Sequence, residues 1–223
     1  MKQIMIAAAG LGLLAGPMAP GAHAIQIAAL GQTSATNTVV ATDNGTVTTI
    51  GITDANVDVS QLFGNPPFPS ADFNLTAASF DAVTAIGGAL LQHYNGTFCI
   101  STGAGCTGTD LLSGSFSDAA FGAGGGPGLV VNVNNPPDTL SLSSGVILAS
   151  DLIAPNSFSL GFSNVTPALG IDGTTIAGFG ASVAGTVSAS ATPPVTEPGS
   201  LAILGSALLG MGWLRRHRMN ICS

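Results

Sequence analysis

Between residues 3 and 214 the chain has no lysine and no arginine; its 4 basic residues are Lys2, Arg215, Arg216 and Arg218. That gap excludes several functions at once. Nucleic-acid binding draws most of its affinity from Lys and Arg neutralising phosphates, and this body would repel DNA. A P-loop needs its lysine, Schiff-base chemistry needs an amine, and phosphoryl transfer usually needs a cationic clamp. Charge of either sign is scarce, 7% of 223 residues against roughly 25% in ordinary soluble domains. Of the 11 acidic residues only Glu197 is a glutamate, so aspartates carry the net charge of -7. The 3 histidines are His23, His93 and His217, which leaves one in the body and excludes a multi-histidine metal site there. Hydrophobic residues reach 46%, the opposite of the hydrophilic, highly charged composition that keeps chains disordered.

What is abundant is glycine, 31 residues, together with Ser, Thr, Ala and Val. The apolar residues of the body come in short bursts: Thr46–Ile52, Phe73–Thr76, Leu111–Phe116, Leu129–Val133, Ser157–Phe162 and Thr186–Ala189. Alternation at period two with β-branched residues predicts half-buried strands. Asn44-Gly45, Asn95-Gly96 and Asp172-Gly173 read as hairpin turns. Asn65-Pro66-Pro67 and Asn135-Pro136-Pro137-Asp138 break the chain, and Gly122–Gly128 reads as a loop between hairpins. One stretch, Ala77–Leu91, could form a helix, although Gly87-Gly88 interrupts it. Strands at this spacing predict an all-β fold, a single β-sandwich or jelly-roll-like domain over residues 25–191. No fixed-period repeat argues for a solenoid.

Few residues in this body could carry chemistry. Cys99 and Cys106 bracket a short loop, and in an oxidising compartment they are expected to form a disulfide. Gly103–Gly108 spells G-x-G-x-x-G, but no βαβ unit surrounds it, so it is a coincidence of glycine content. Asp54-Ala55-Asn56-Val57-Asp58 opens like an EF-hand loop, then departs from it at Val59 and Asn65. Asp54, Asn56 and Asp58 are therefore candidates for a non-EF calcium site, with a solvated strand edge as the other reading. No other metal and no cofactor is expected. A hydrolase would have to use His93 with Asp81 or Asp110 and an unidentified serine; no G-x-S-x-G elbow is present.

The two ends differ from the body. Met1-Lys2-Gln3 is followed by an apolar run, Ile4–Leu14, and then by Ala22-His23-Ala24. One positive charge, a run covering about 16 Å as a helix, and a small-x-small site predict a secretory signal peptide over residues 1–24, with a mature chain from Ile25. At the other end Pro193-Pro194-Val195 precedes Thr196-Glu197-Pro198, an apolar stretch Gly199–Leu214 and the basic cluster Arg215, Arg216, Arg218. The stretch would form a transmembrane helix of about 24 Å, short for a bilayer core of about 30 Å but extended by Trp213 and the snorkelling arginines. Those arginines act as a membrane stop and keep residues 219–223 cytoplasmic, with the body on the far side.

The order acidic-proline motif, Gly/Leu/Ala-rich helix, arginine cluster over residues 192–218 resembles the PEP-CTERM sorting signal of Gram-negative bacteria. Thr196 stands where the family's first proline is usual. The resemblance implies recognition at Thr196, Glu197 and Pro198 by an exosortase-type membrane protease, after export by the secretion machinery and signal peptidase. It also implies a setting of exopolysaccharide or biofilm at the cell surface. The expectation is thus a non-enzymatic exported surface or matrix protein that passes through an inner-membrane intermediate. The other readings are a surface carbohydrate-binding or adhesive module, for which Tyr94 and scattered phenylalanines are the stacking candidates, and a membrane-anchored protein that is never cut.

Overall fold

A computed structural model describes residues 24–122 and 126–190. The bursts of alternating residues form strands: β1 (Ala24–Gln32), β2 (Val39–Asp43), β3 (Thr48–Leu62), β4 (Phe68–Ser79), β5 (Thr84–Ile86), β6 (Ala89–Gly103) and β7 (Thr107–Phe121). They continue as β8 (Gly128–Asn132), β9 (Thr139–Ser143), β10 (Ile153–Thr166), β11 (Ile171–Asp172), β12 (Thr175–Ile176) and β13 (Phe179–Ser190). Among the described residues the only helical element is a 3-10 turn, Ala149–Asp151. The domain is all-β, as the alternation predicts. Its main sheet is one continuous antiparallel surface folded over on itself in a sandwich-like way, in the order β5-β6-β4-β3-β1-β13-β10-β8-β7-β9. Because β6 also pairs with β7, the path returns to its start. Closure is narrow on one side, where β7 meets β8 through Ala120↔Val130 and Phe121↔Leu129.

β1 and β2 lie end to end between β3 and β13, which pair with both. The six residues between them loop outward, and Gln32 organises the loop: its amide donates to Ser34 O at 2.7 Å, while its Oε1 accepts from Thr38 Oγ1 at 2.6 Å and Val183 N at 3.1 Å. The first pair of the β1–β13 ladder is Ala24↔Ser190, so the described chain begins and finishes at the same end of the domain.

Alternation does not run unbroken through the long strands. In β3 the buried positions are Thr48, Ile50 and Ile52, then Ala55, Val57 and Val59, and last Leu62. The parity slips by one at Asp54, which takes φ 47 at a register shift between Ile52 and Ala55. Asp118 (φ 61) does the same in β7, between buried Phe116 and Ala119. Asp and Asn tolerate the left-handed region, and each bulge returns the apolar side chains to the interior.

That interior is aromatic along its length. Phe98 stacks on Phe158 with centroids 4.3 Å apart, and Phe116 closes on Phe158 at 5.9 Å. Phe121 meets Tyr94, Phe162 and Phe179 at 6.2, 6.0 and 5.8 Å.

Two expectations are corrected. Ala77–Leu91 is not a helix: Ala77 lies in β4, and Gly87 (φ 58) and Gly88 (φ 87) turn β5 into β6. Asn95-Gly96 is not a hairpin turn but the middle of β6. A Cβ at Gly96 would stand 2.5 Å from Thr76 O and 2.7 Å from Phe116 Cζ, so close packing between strands, not a turn, requires glycine there. Asn44-Gly45 and Gly173 do turn the chain as expected, with φ 80 at Gly45 and 60 at Gly173.

Candidate functional site

The start of β6 concentrates polar side chains at the end of the domain away from Ala24 and Ser190. Gln92 is buried; its Nε2 donates to Asp81 O at 2.9 Å, and its Oε1 accepts from Tyr94 OH at 3.0 Å and Ile176 N at 3.2 Å. Thr48, also buried, donates through Oγ1 to Ile176 O at 2.5 Å, and its N–H donates to Ser79 Oγ at 2.9 Å. The network satisfies the groups that strand ends leave unpaired and locks β3, β4, β6 and β12 together. Tyr94 is wholly enclosed in it. Burial pushes its phenol well above the ordinary range, the charges of Asp81 and Asp43 push the same way, and a Thr48 hydrogen bond opposes them. Its ring is therefore not a platform for a ligand.

Just outside this network Phe80, Asp81 and His93 meet. Asp81 follows the end of β4 and folds back on β6: Oδ1 accepts from His93 N at 2.9 Å and Oδ2 pairs with His93 Nδ1 at 2.6 Å. Of the two aspartates considered for His93, it is Asp81; Asp110 lies in β7 opposite Ser101 and accepts from Ser113 Oγ at 2.8 Å. Phe80 is held by its N–H donating to His93 O at 3.3 Å, and its ring lies 6.3 Å from the imidazole at 34°. An oriented imidazole of this kind is two-thirds of a catalytic triad. Among the described residues no serine hydrogen-bonds to its second nitrogen.

At the opposite end Cys99 and Cys106 form the expected disulfide, with Cα atoms 5.9 Å apart, across the β6–β7 hairpin. The Gly103–Gly108 run is that hairpin's tip, with Gly105 at φ 66 and Gly108 at φ 75. Asp54 accepts there from Gly105 N at 2.5 Å and from Asn74 Nδ2 at 3.0 Å. The Gly105 bond, then the Asn74 bond, hold its carboxyl below the usual range. Asn56 bonds Ser70 Oγ at 2.8 Å and Thr33 Oγ1 at 2.7 Å. Asp54, Asn56 and Asp58 alternate along the exposed face of β3, each about 7 Å from the next. Asp54 and Asn56 are thus engaged in joining neighbouring segments.

The glycine-rich loop after β7 is closed by Gly122 N donating to Gly128 O at 2.9 Å. Beside it lies a cleft of about 210 Å³ whose walls include Leu90, Phe121, Pro127 and Leu169. Thr196, Glu197, Pro198, Arg215, Arg216 and Arg218, with the expected signal peptide and transmembrane helix, lie outside the described residues. Among the described residues no helix is long and apolar enough to cross a membrane, and no group of three or more His, Cys, Asp or Glu could hold a metal ion. No protein-family model matches the chain, and no curated protein and no solved structure matches it either.

Proposed function

We propose that this chain is a non-enzymatic exported protein, delivered to the cell surface or extracellular matrix through its C-terminal sorting signal. The observation that carries the reading is the order Thr196-Glu197-Pro198, apolar Gly199–Leu214, Arg215-Arg216-His217-Arg218, at the end of a chain that opens with a signal-peptide pattern. The signal peptide leaves after Ala24. The body crosses the membrane, the apolar helix halts it with the arginines on the cytoplasmic side, and an exosortase-type protease cuts near Glu197-Pro198.

Several features of the body support this. A Cys99–Cys106 disulfide fits an oxidising compartment outside the cytoplasm. Cleavage after Ala24 would remove only the first pair of the β1–β13 ladder and leave Ile25↔Ala189 in place. The strand that leads to the sorting signal ends beside the new N-terminus, so one end of the domain would face the membrane and the Phe80–His93 end would point away from it. The hydroxyl- and amide-rich, cation-free surface suits a hydrated polysaccharide matrix.

The test is Glu197→Ala in the producing cell, with the protein followed by fractionation and immunoblotting. The expected result is an exported, membrane-held chain that keeps its C-terminal helix. Normal processing of the variant would overturn the sorting reading, and a wild type that itself keeps its C-terminal helix would make this a plain anchored protein.

A further inference from the structure

The structure assigns a saccharide-binding site to Phe80, Asp81 and His93, with an uncharged pyranose unit as the ligand. Of the ten phenylalanines, seven are buried and Phe63 and Phe68 are partly so; Phe80 alone is largely open, at 54% exposure. It is not a loose side chain, because its backbone N–H is bonded to His93 O and its ring faces the imidazole. An aromatic face of this kind packs against the C–H face of a sugar ring, while the rim hydroxyls of that ring need hydrogen-bond partners beside the aromatic.

Asp81 and His93 supply them. Both side chains stay about one-third exposed, 35% and 32%, so their outer atoms remain reachable. A carboxylate only accepts, so Nδ1 carries the proton it shares with Asp81 Oδ2. Nε2 is left to meet one sugar hydroxyl, and the spare lone pairs of the Asp81 oxygens accept from a second. The ring cannot swing away, since Asp81 grips both the His93 backbone N–H and Nδ1. The backbone of Asp81 is fixed in turn by the buried Gln92 side chain.

The charge pattern selects among sugars. A uronic acid or sulfated unit would meet a carboxylate here, and the chain offers no Lys or Arg between residues 3 and 214 to offset it. A neutral unit carries no such penalty. A single stacked ring with two hydrogen bonds binds weakly, so useful retention would come from a polymer that presents many units to many copies. The inference does not depend on how the chain is sorted.

The test uses the full chain in a sugar-free detergent, titrated with cellohexaose, whose equatorial hydroxyls leave flat C–H faces. Binding is read by isothermal titration and by the His93 imidazole signals. The wild type is expected to bind cellohexaose, with the His93 signals moving. Phe80→Ala should weaken binding about tenfold or more, the equivalent of about 1.4 kcal/mol, without changing the melting temperature, because the ring supports no core. Phe80→Trp should bind at least as well as wild type. No binding of cellohexaose by the wild type, or equal binding by Phe80→Ala, would overturn the assignment. So would binding confined to a chitosan hexamer, since that would report only attraction of a polycation to an acidic surface.

Discussion

Tyr94 gives the clearest test at the scale of single residues. It is the only tyrosine of the chain, the residues from 24 to 190 contain no lysine, and their two cysteines are joined. The ordinary phenol titrates near pH ~10, and burial raises Tyr94 above that. Its contribution to stability is complete below the unfolded-state pKa and is lost as pH rises through the folded one. Urea unfolding should show the wild type losing stability above about pH 10, while Tyr94→Phe stays flat over the same range. The variant should cost about 1 kcal/mol at neutral pH for the lost bond to Gln92. A variant that weakens with alkali as the wild type does would show that another group controls the transition.

Asp54 and Asp43 act at the other limit. The Gly105 N–H lowers Asp54, and the Thr175 hydroxyl, opposed by partial desolvation, lowers Asp43. Lowered carboxyls stabilise above their unfolded values and lose that contribution as pH falls through the folded ones, below about pH 4. Asp54→Asn should therefore flatten the acid limb of the stability curve, measured as the urea midpoint at pH 6 against pH 3.

Elements were largely legible, because period-two alternation is a local signal and every apolar burst lies in or overlaps a strand. The failures have physical causes. Gly96 follows an asparagine, the usual hairpin pair, yet its neighbours Thr76 and Phe116 come from other strands, 20 residues away on either side. Ala77–Leu91 has helix-compatible residues, but Ala77 is claimed by pairing with Ile50 and Gly96. The bulges at Asp54 and Asp118 are visible only as parity slips, which a window of a few residues does not reveal. Gly96→Ala should destabilise the fold by roughly 1–3 kcal/mol through overpacking, and differential scanning calorimetry would record it.

The β6–β7 hairpin carries the disulfide and is tied to β3 by Asp54 and to β4 by its ladder. Replacing Cys99 and Cys106 together with Ser should cost about 2–3 kcal/mol on the chain-entropy account of so short a loop. A reduced wild type should match the double variant in denaturant midpoint. Strand pairing already closes this hairpin from Gly103↔Thr107 upward, so the loss should lower stability without changing the fold.

For the whole molecule, strand partners were the part hidden from the sequence. Which strand closes the ring depends on contacts between distant segments, and nothing local distinguishes β7 meeting β6, β8 and β9 from two separate sheets. The candidate site was half legible: His93 and Asp81 stood out because charges and histidines are so few, whereas Phe80 looked like any other phenylalanine until its exposure was known. Tyr94, the more obvious stacking residue by sequence, proved to be core.

The central claim is that this domain travels between two cuts, one after Ala24 and one near Glu197-Pro198. Intact mass spectrometry of the protein recovered from the extracellular matrix of its native producer tests both at once. The account predicts a mass running from Ile25 to the Thr196–Pro198 region, lowered by two hydrogens for the Cys99–Cys106 bond. A membrane-bound protein whose mass still includes Trp213 and the arginines would contradict it.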